Sequence, residues 1–269
     1  MKYLRVSTIE EAQSGLAEGG VVLAGGTVLV PNIAHEGAYG KTIVDIGRIP
    51  DLTNVSTADG HLRIGAMVTL AHIAANTAIR RDYEALARAA AAIGNPQVRR
   101  AATLGGNVAL GTHTSDTMPA LLALDAEVEY FGSAGMETRP IADFVTKGKL
   151  ITAISVRREG NVRSGFRKFA WRRASGISVV SVAVALRIED GLIKSSRLTV
   201  NGLAKRAARL PKAESVLAGQ PLTEKLAGDA ASAAADEAVA EIEHTAGEHY
   251  RRSLLRFGVR ETLKEAMHS

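Results

Sequence analysis

The 269-residue sequence contains no cysteine. That excludes disulfides, thiolate-held zinc, a cysteine nucleophile and a cysteine-ligated iron–sulfur cluster within the chain. Any iron–sulfur chemistry has to come from another chain. Aromatic residues make up 4%, with a single tryptophan, too few for an obvious base-stacking platform. The net charge is +5, yet the lysines and arginines are spread out rather than gathered in a tract. Nucleic acid is therefore not an expected partner. An anionic cofactor or an acidic partner accounts better for the basic balance.

Other absences narrow the field further. No apolar run approaches the roughly 20 residues that span a bilayer. The opening Met-Lys-Tyr-Leu-Arg-Val-Ser lacks the apolar segment of a secretory signal, so the cytoplasm is the expected location. The seven histidines, at 35, 61, 72, 113, 244, 249 and 268, show no HExxH spacing, and no metal site is expected. His244 and His249 are five apart and do not share a helix face. No serine stands in a G-x-S-x-G elbow, which sets hydrolase chemistry by that route aside. Neither a GxGxxG dinucleotide fingerprint nor a GxxxxGK[ST] phosphate loop is present.

What the chain does have is paired glycines in two places. After the apolar run Val21–Leu23 comes Ala24-Gly25-Gly26-Thr27-Val28, which reads as a corner leaving a strand. The second is Ala102-Thr103-Leu104-Gly105-Gly106-Asn107, which follows Gly94-Asn95-Pro96. Adjacent glycines let a backbone turn sharply and come close to a neighbour. Asn107 adds a short amide able to hold a turn or grip a ligand. Beyond Gly111, Ser115 and Asp116 read as caps for a helix from Thr117 to Leu124, with Pro119 tolerated in its first turn. Glycine loops that gather amide N–H groups form a cradle for a phosphate-bearing ligand, and two of them suit the two ends of one dinucleotide. From the residues alone, a pair of ordinary glycine turns is an equal alternative.

The remaining sequence reads as a strand–helix–strand unit over residues 3–23, then a helix from Val28 and a strand at Thr42–Ile46. Residues 52–64 give two strands around Asp59-Gly60, and helices follow at 69–75 and 81–92. Strands are expected at 126–131 and 151–156, the latter from its β-branched content. A division falls near residue 160, and Asp190-Gly191 signals a hairpin between strands at 178–187 and 193–200. Leu203–Arg209 reads as another strand-like piece. Alanine-rich helical patterns cover 213–217, 222–244 and 251–267, so this portion is strands first and helices after, an α+β arrangement.

Together these motifs resemble the FAD-binding medium subunit of molybdenum hydroxylases, the family of carbon monoxide dehydrogenase and xanthine dehydrogenase. The resemblance rests on Ala-Gly-Gly-Thr at 24–27, on Ile-Gly-Asn-Pro-Gln-Val-Arg at 93–99, and on Ala-Thr-Leu-Gly-Gly-Asn at 102–107. Val44-Asp45-Ile46, Ile64-Gly65-Ala66, Asp116 with Pro119 to Ala126, and Tyr250-Arg-Arg-Ser-Leu-Leu extend it over nearly the whole chain. It implies an α+β fold. A two-part FAD-binding domain of the vanillyl-alcohol-oxidase-like (PCMH) type would span residues 1–160, with subdomains of about 1–55 and 56–160. A smaller C-terminal α+β domain with antiparallel strands and a helical end would span 161–269. It further implies a large molybdenum-cofactor subunit and a small 2Fe–2S subunit as partners.

The residues that the resemblance implies at the FAD are Leu23, Ala24, Gly25, Gly26, Thr27 and Val28 from the first corner. Ala102, Thr103, Gly105, Gly106, Asn107, Thr112 and Ser115 follow. Asp116 corresponds to an aspartate that binds the sugar-like portion of the flavin, Ile151 to a residue packed on the flavin or adenine, and Lys168 to a lysine near the flavin. Read without the family, Asp116 is a helix cap, Ile151 is core, and Lys168 is a solvated basic strand end. Two departures stand out. Gly111-Thr112-His113 replaces the usual small-Ser-Pro step, and residues 144–154 are shortened, with Lys149 where the family has an acidic residue. The function expected is electron transfer from a partner's iron–sulfur clusters through FAD to NAD, a quinone or oxygen. A stand-alone flavoprotein oxidoreductase and an FAD-free interaction domain are the alternatives.

Overall fold

The computed structural model describes residues 1–36, 42–172, 176–238, 241 and 246–267. Two compact units emerge, and neither is contiguous in sequence. One comprises residues 1–72, 96–109 and 126–157; the other comprises 73–95, 110–125 and 158–269.

The first unit begins with β1 (Lys2–Arg5), α1 (Ile9–Ala17), β2 (Val21–Leu23), α2 (Leu29–Glu36) and β3 (Thr42–Asp45). The three strands form a parallel sheet in the order β1-β3-β2. Thr8 starts α1 by accepting the Glu11 amide, and Glu11 reaches back to the amide of Ser7, one residue before the cap, at 2.8 Å, a close variant of the reciprocal pairing that S/T-x-x-E sequences favour. β2 is half-buried rather than fully buried. A second, five-stranded antiparallel sheet runs in the order β4-β5-β8-β6-β7. It is made from β4 (Val55–Ala58), β5 (His61–Gly65), β6 (Glu127–Gly132), β7 (Gly135–Pro140) and β8 (Leu150–Arg157). Asp59 and Gly60 both take positive φ, the mirror-image turn that suits a two-residue hairpin. Central β8 is buried from Leu150 to Val156, as a strand covered on both faces must be. Lys149, at the start of this strand, lies over the rings of Tyr130 (4.8 Å) and Phe144 (5.4 Å), a cation–π seat that explains how a lysine stands there.

The first unit also contains α6 (Pro96–Ala101) and all but the last residue of α7 (Leu104–Leu110). This corrects the expectation of a glycine loop at 103–107: Gly105, Gly106 and Asn107 are helical. Strand β7 was not anticipated, because its alternation is masked by the exposed Met136, Thr138 and Arg139.

The second unit is built on a four-stranded antiparallel sheet in the order β12-β11-β10-β9. Its strands are β9 (Val162–Ala170), β10 (Ser178–Glu189), β11 (Leu192–Asn201) and β12 (Ala208–Arg209). Only two residues of the strand-like piece at 203–209 pair as a strand. Val180, Val182, Val184 and Leu186 join one buried cluster with α10 (Glu224–Glu237) and α11 (Glu248–Met267). Ala183 and Ala185, of opposite parity, join Phe166 and the alanines of α5 (Glu84–Ala91) and α8 (Thr117–Ala123). Alternating side chains thus give β10 a large-residue face and a small-residue face, and the alanine-rich helices can approach the latter closely. The helix expected over 81–92 is two, α4 (Thr77–Asp82) and α5, separated where Tyr83 leaves helical space at φ −140° and ψ 50°. Within 222–244 the described helix is α10 alone. His244 and His268 lie outside the described residues, and His249 lies in α11. Among the described residues, α3 (Leu70–Ala75), α9 (Pro211–Leu217) and short 3-10 turns at Pro50–Leu52 and Ile141–Asp143 complete the elements.

Candidate functional site

The two diglycine segments meet inside the first unit. A Cβ placed on Gly25 would lie 2.0 Å from the Ala101 carbonyl oxygen and 3.0 Å from the Ala102 Cα, so only glycine allows this approach of the 24–25 backbone to the end of α6. A Cβ on Gly106 would lie 4.0 Å from the Ala24 Cβ, in ordinary contact. Thr103 closes the second segment: its Oγ1 accepts the Gly106 amide at 3.1 Å, and its carbonyl accepts the Asn107 amide at 3.0 Å. Gly105 presses on Ala66, where a Cβ would be 2.6 Å from the alanine's own Cβ. The Gly105 and Leu104 amides bond the carbonyls of Ala66 and Val68 at 2.9 and 3.0 Å, and the Leu70 amide bonds the Ala102 carbonyl at 2.9 Å. Thr103 and Ala102 are buried by this seam.

The first corner is open by contrast. Gly26 takes φ +68°, Thr27 is half-exposed, and Val28 is exposed. Among the described residues, the amides of Gly25, Gly26, Thr27 and Val28 donate to no acceptor in the chain. Four neighbouring main-chain donors at an accessible turn leading into α2 fit the anionic, oxygen-rich parts of a dinucleotide. Ile151, also in this unit, is 5% exposed in β8, across from Tyr130.

Thr112, Ser115, Asp116 and Lys168 belong to the second unit and are connected to one another there. The Ser115 hydroxyl accepts the Thr112 amide at 3.2 Å, and the Thr112 and Thr114 hydroxyls are 2.8 Å apart. Asp116 is 2% exposed and, contrary to the expectation of a cap, makes no side-chain capping bond to α8. Its backbone is already in the helical region (φ −65°, ψ −18°) rather than the extended region capping side chains need. The carboxylate turns away and accepts from Lys168 Nζ at 2.7 Å through Oδ2 and from the Ser178 hydroxyl through Oδ1. Lys168 Nζ also donates to the Ala92 carbonyl at 3.1 Å. Its side chain is 11% exposed, so it is a buried ion-pair partner and not a solvated strand end.

Sequence reasoning missed the residues behind this segment. Asn201, 1% exposed at the end of β11, donates from Nδ2 to the carbonyls of Ser115 (3.3 Å) and Thr112 (3.5 Å). Thr199 Oγ1 donates to the Pro119 carbonyl at 2.8 Å. The only signal was polar residues inside otherwise apolar strands. Lys168 also lines a cleft of about 630 Å³ along the outer edge of β9, with Arg88, Trp171, Arg172, Tyr250 and Leu254. Trp171 and Tyr250 stack at 6.1 Å with rings 17° apart. Glu265 bridges Arg88 (2.6 Å) and Arg167 at the same cleft.

Comparison with known proteins places this arrangement. Residues 1–156 match the FAD binding domain in molybdopterin dehydrogenase, and residues 165–266 match the CO dehydrogenase flavoprotein C-terminal domain. The chain belongs to the FAD-binding medium-subunit family of molybdenum hydroxylases. It is 31% identical to the nicotine 6-hydroxylase medium subunit of Paenarthrobacter nicotinovorans, covering 99% of this chain and 97% of that one. It is 31% identical to the xanthine dehydrogenase FAD-binding subunit of Escherichia coli O157:H7, over 82% of this chain and 80% of that one. Among solved structures, carbon monoxide dehydrogenase from Hydrogenophaga pseudoflava superimposes with a TM-score of 0.93 at 24% identity, covering 100% of this chain and 97% of that chain. FAD is the cofactor of this medium-subunit family, and the chain is an oxidoreductase flavoprotein subunit. The residues matched by the first family model do not all fall in the first compact unit: 73–95 and 110–125 pack with the C-terminal portion. Among the described residues no helix is long and apolar enough to cross a membrane, and no group of three metal-ligating side chains occurs.

Proposed function

We propose that the chain is the electron-transferring FAD subunit of a heteromeric molybdenum hydroxylase of the cytoplasm. In this reading a large partner bears the molybdenum cofactor and a small partner bears 2Fe–2S clusters. The absence of cysteine requires the clusters to lie outside this chain, and its relatives carry names such as "medium subunit" and "medium chain". When bound, FAD would supply the redox chemistry by which electrons reach an acceptor such as NAD, a quinone or oxygen. The chain's own part is to bind and orient that cofactor.

The observation that carries this reading is the first corner: acceptor-less amides at Gly25–Val28 beside a backbone seam that excludes any side chain at Gly25. Leu23 and Ala24 lead into that corner, and Ala102, Thr103, Gly105, Gly106 and Asn107 form its support. The hydroxyls of Thr27, Thr112 and Ser115 would hold phosphate or ribityl oxygens. Asp116 would accept from sugar-like hydroxyls, Ile151 would offer an apolar surface, and Lys168 would place its charge where an anionic part of the cofactor binds. The FAD-binding portion is taken as residues 1–160, in two parts of about 1–55 and 56–160, and the C-terminal portion as 161–269.

The test is direct. The purified chain, incubated with FAD and desalted, should retain the flavin's visible absorption bands while showing no turnover of the complex's substrate alone. A desalted chain without flavin absorbance overturns the reading.

A further inference from the structure

Four groups form one polar chain within the second unit: the Ser178 hydroxyl, the Asp116 carboxylate, the Lys168 ammonium and the Ala92 carbonyl. Ser178 and Asp116 are 1% and 2% exposed, so water does not substitute for either contact. A carboxylate with two oxygens and one fixed cation can rotate about its Cα–Cβ and Cβ–Cγ bonds. A second donor on the other oxygen fixes which edge it shows to the lysine. Ser178 sits at the first residue of β10, opposite Ala170 in the register with β9, the strand that carries Lys168. The lysine and the serine that act on Asp116 thus come from adjacent strands, whereas Asp116 comes from the turn before α8. The same turn is gripped through Asn201 at the carbonyls of Thr112 and Ser115.

We infer that Ser178 is a positioning residue for cofactor binding. By holding Asp116 Oδ1 it orients the carboxylate so that Oδ2 fixes the Lys168 ammonium between Asp116 and the Ala92 carbonyl. Two of the three ammonium protons are then committed, and the third is left to donate into the cleft that Lys168 lines. Without Ser178, Asp116 and Lys168 lose their fixed mutual orientation. The inference rests on the proposal above that Lys168 and Asp116 act on FAD.

The test uses the full chain and FAD as the probe, with the dissociation constant read by flavin fluorescence and the flavin midpoint potential read by spectroelectrochemistry. Loss of one hydrogen bond to a charged group predicts that Ser178→Ala weakens FAD binding about tenfold, with the midpoint potential displaced in the same variant. Ser178→Thr keeps the hydroxyl and should restore both values. Ser178→Cys, nearly the same size with a weaker donor, should fall between and guards against a folding defect of either variant. The deciding measurement is a double-mutant cycle: in a Lys168→Met background, Ser178→Ala should cost no further affinity, because the group it orients is gone. Additive losses, an unmoved potential, or wild-type affinity in Ser178→Ala overturn the inference while leaving FAD binding by the wild type intact. A wild-type chain that takes up no FAD fails the functional reading instead and removes the inference with it.

Discussion

The two diglycine segments, alike in sequence, are built on opposite backbones. At 24–28 the glycines form an open corner, with positive φ at Gly26 and main-chain donors left without acceptors. At 103–107 they lie in the first turns of a helix, with their amides spent on Thr103 and Ala66. The first pair leaves a turn of main-chain donors open to a ligand. The second is small so that two backbones can close behind it. A glycine pair therefore marks a place where at least one side chain is forbidden; whether a ligand or another backbone takes the room is decided by the neighbours.

Substitutions separate these two uses. The largest effect is expected at Gly25→Ala, whose new Cβ meets a carbonyl oxygen at 2.0 Å with no flexible side chain to yield. Overpacking of this kind should cost about 3 kcal/mol in chemical denaturation and abolish FAD retention. Gly105→Ala pushes on Ala66 at 2.6 Å but gains helix propensity, so a net loss of about 1.5 kcal/mol is expected by the same measurement.

Acid should distinguish the segments too. Asp45 is paired with Leu23 in the β2–β3 register that feeds the first corner. Burial pushes its carboxyl up, but the Tyr3 hydroxyl, the Gly47 amide and the Arg5 guanidinium together outweigh that and hold it below the ordinary carboxylate value. A depressed folded-state value means that this stabilisation is complete above an unfolded value of about 4 and is lost as pH falls through the folded one. Asp45→Asn should cost about 1 kcal/mol at neutral pH and flatten the acid limb of a stability-versus-pH curve. An unchanged acid limb would show that this carboxylate does not anchor the first corner.

The smallest effect is expected at Gly106→Ala. Its only close neighbour is the Thr103 hydroxyl at 2.9 Å, and the helix-propensity gain offsets a weakened cap, leaving stability within about 0.5 kcal/mol of wild type. If Gly106→Ala proved as damaging as Gly25→Ala, the contrast between the segments would fail.

Much of this architecture was legible in the sequence. The strand–helix–strand opening, the hairpins at Asp59-Gly60 and Asp190-Gly191, and the strands-then-helices order of the C-terminal portion followed from turn chemistry and periodicity. What was not legible depended on distant partners. Helix α7 was hidden because glycines are poor helix formers, and only the seam with Ala66 and Val68 makes that conformation favourable. Asp116 was misread as a cap because its true partners, Lys168 and Ser178, lie 52 and 62 residues away. The interleaving of 73–95 and 110–125 with the C-terminal strands has no local signature, since alanines facing Ala183 and Ala185 look the same as alanines facing any core.

The Trp171–Tyr250 stack gives the chain a built-in optical gauge. Trp171 is the sole indole in the sequence and is 61% exposed, and its ring ties the end of β9 to the start of α11. Excitation of that one chromophore reads a single locality with no background from elsewhere in the polypeptide. Its emission wavelength and quenching by iodide would follow any parting of helix from strand in real time, without a label.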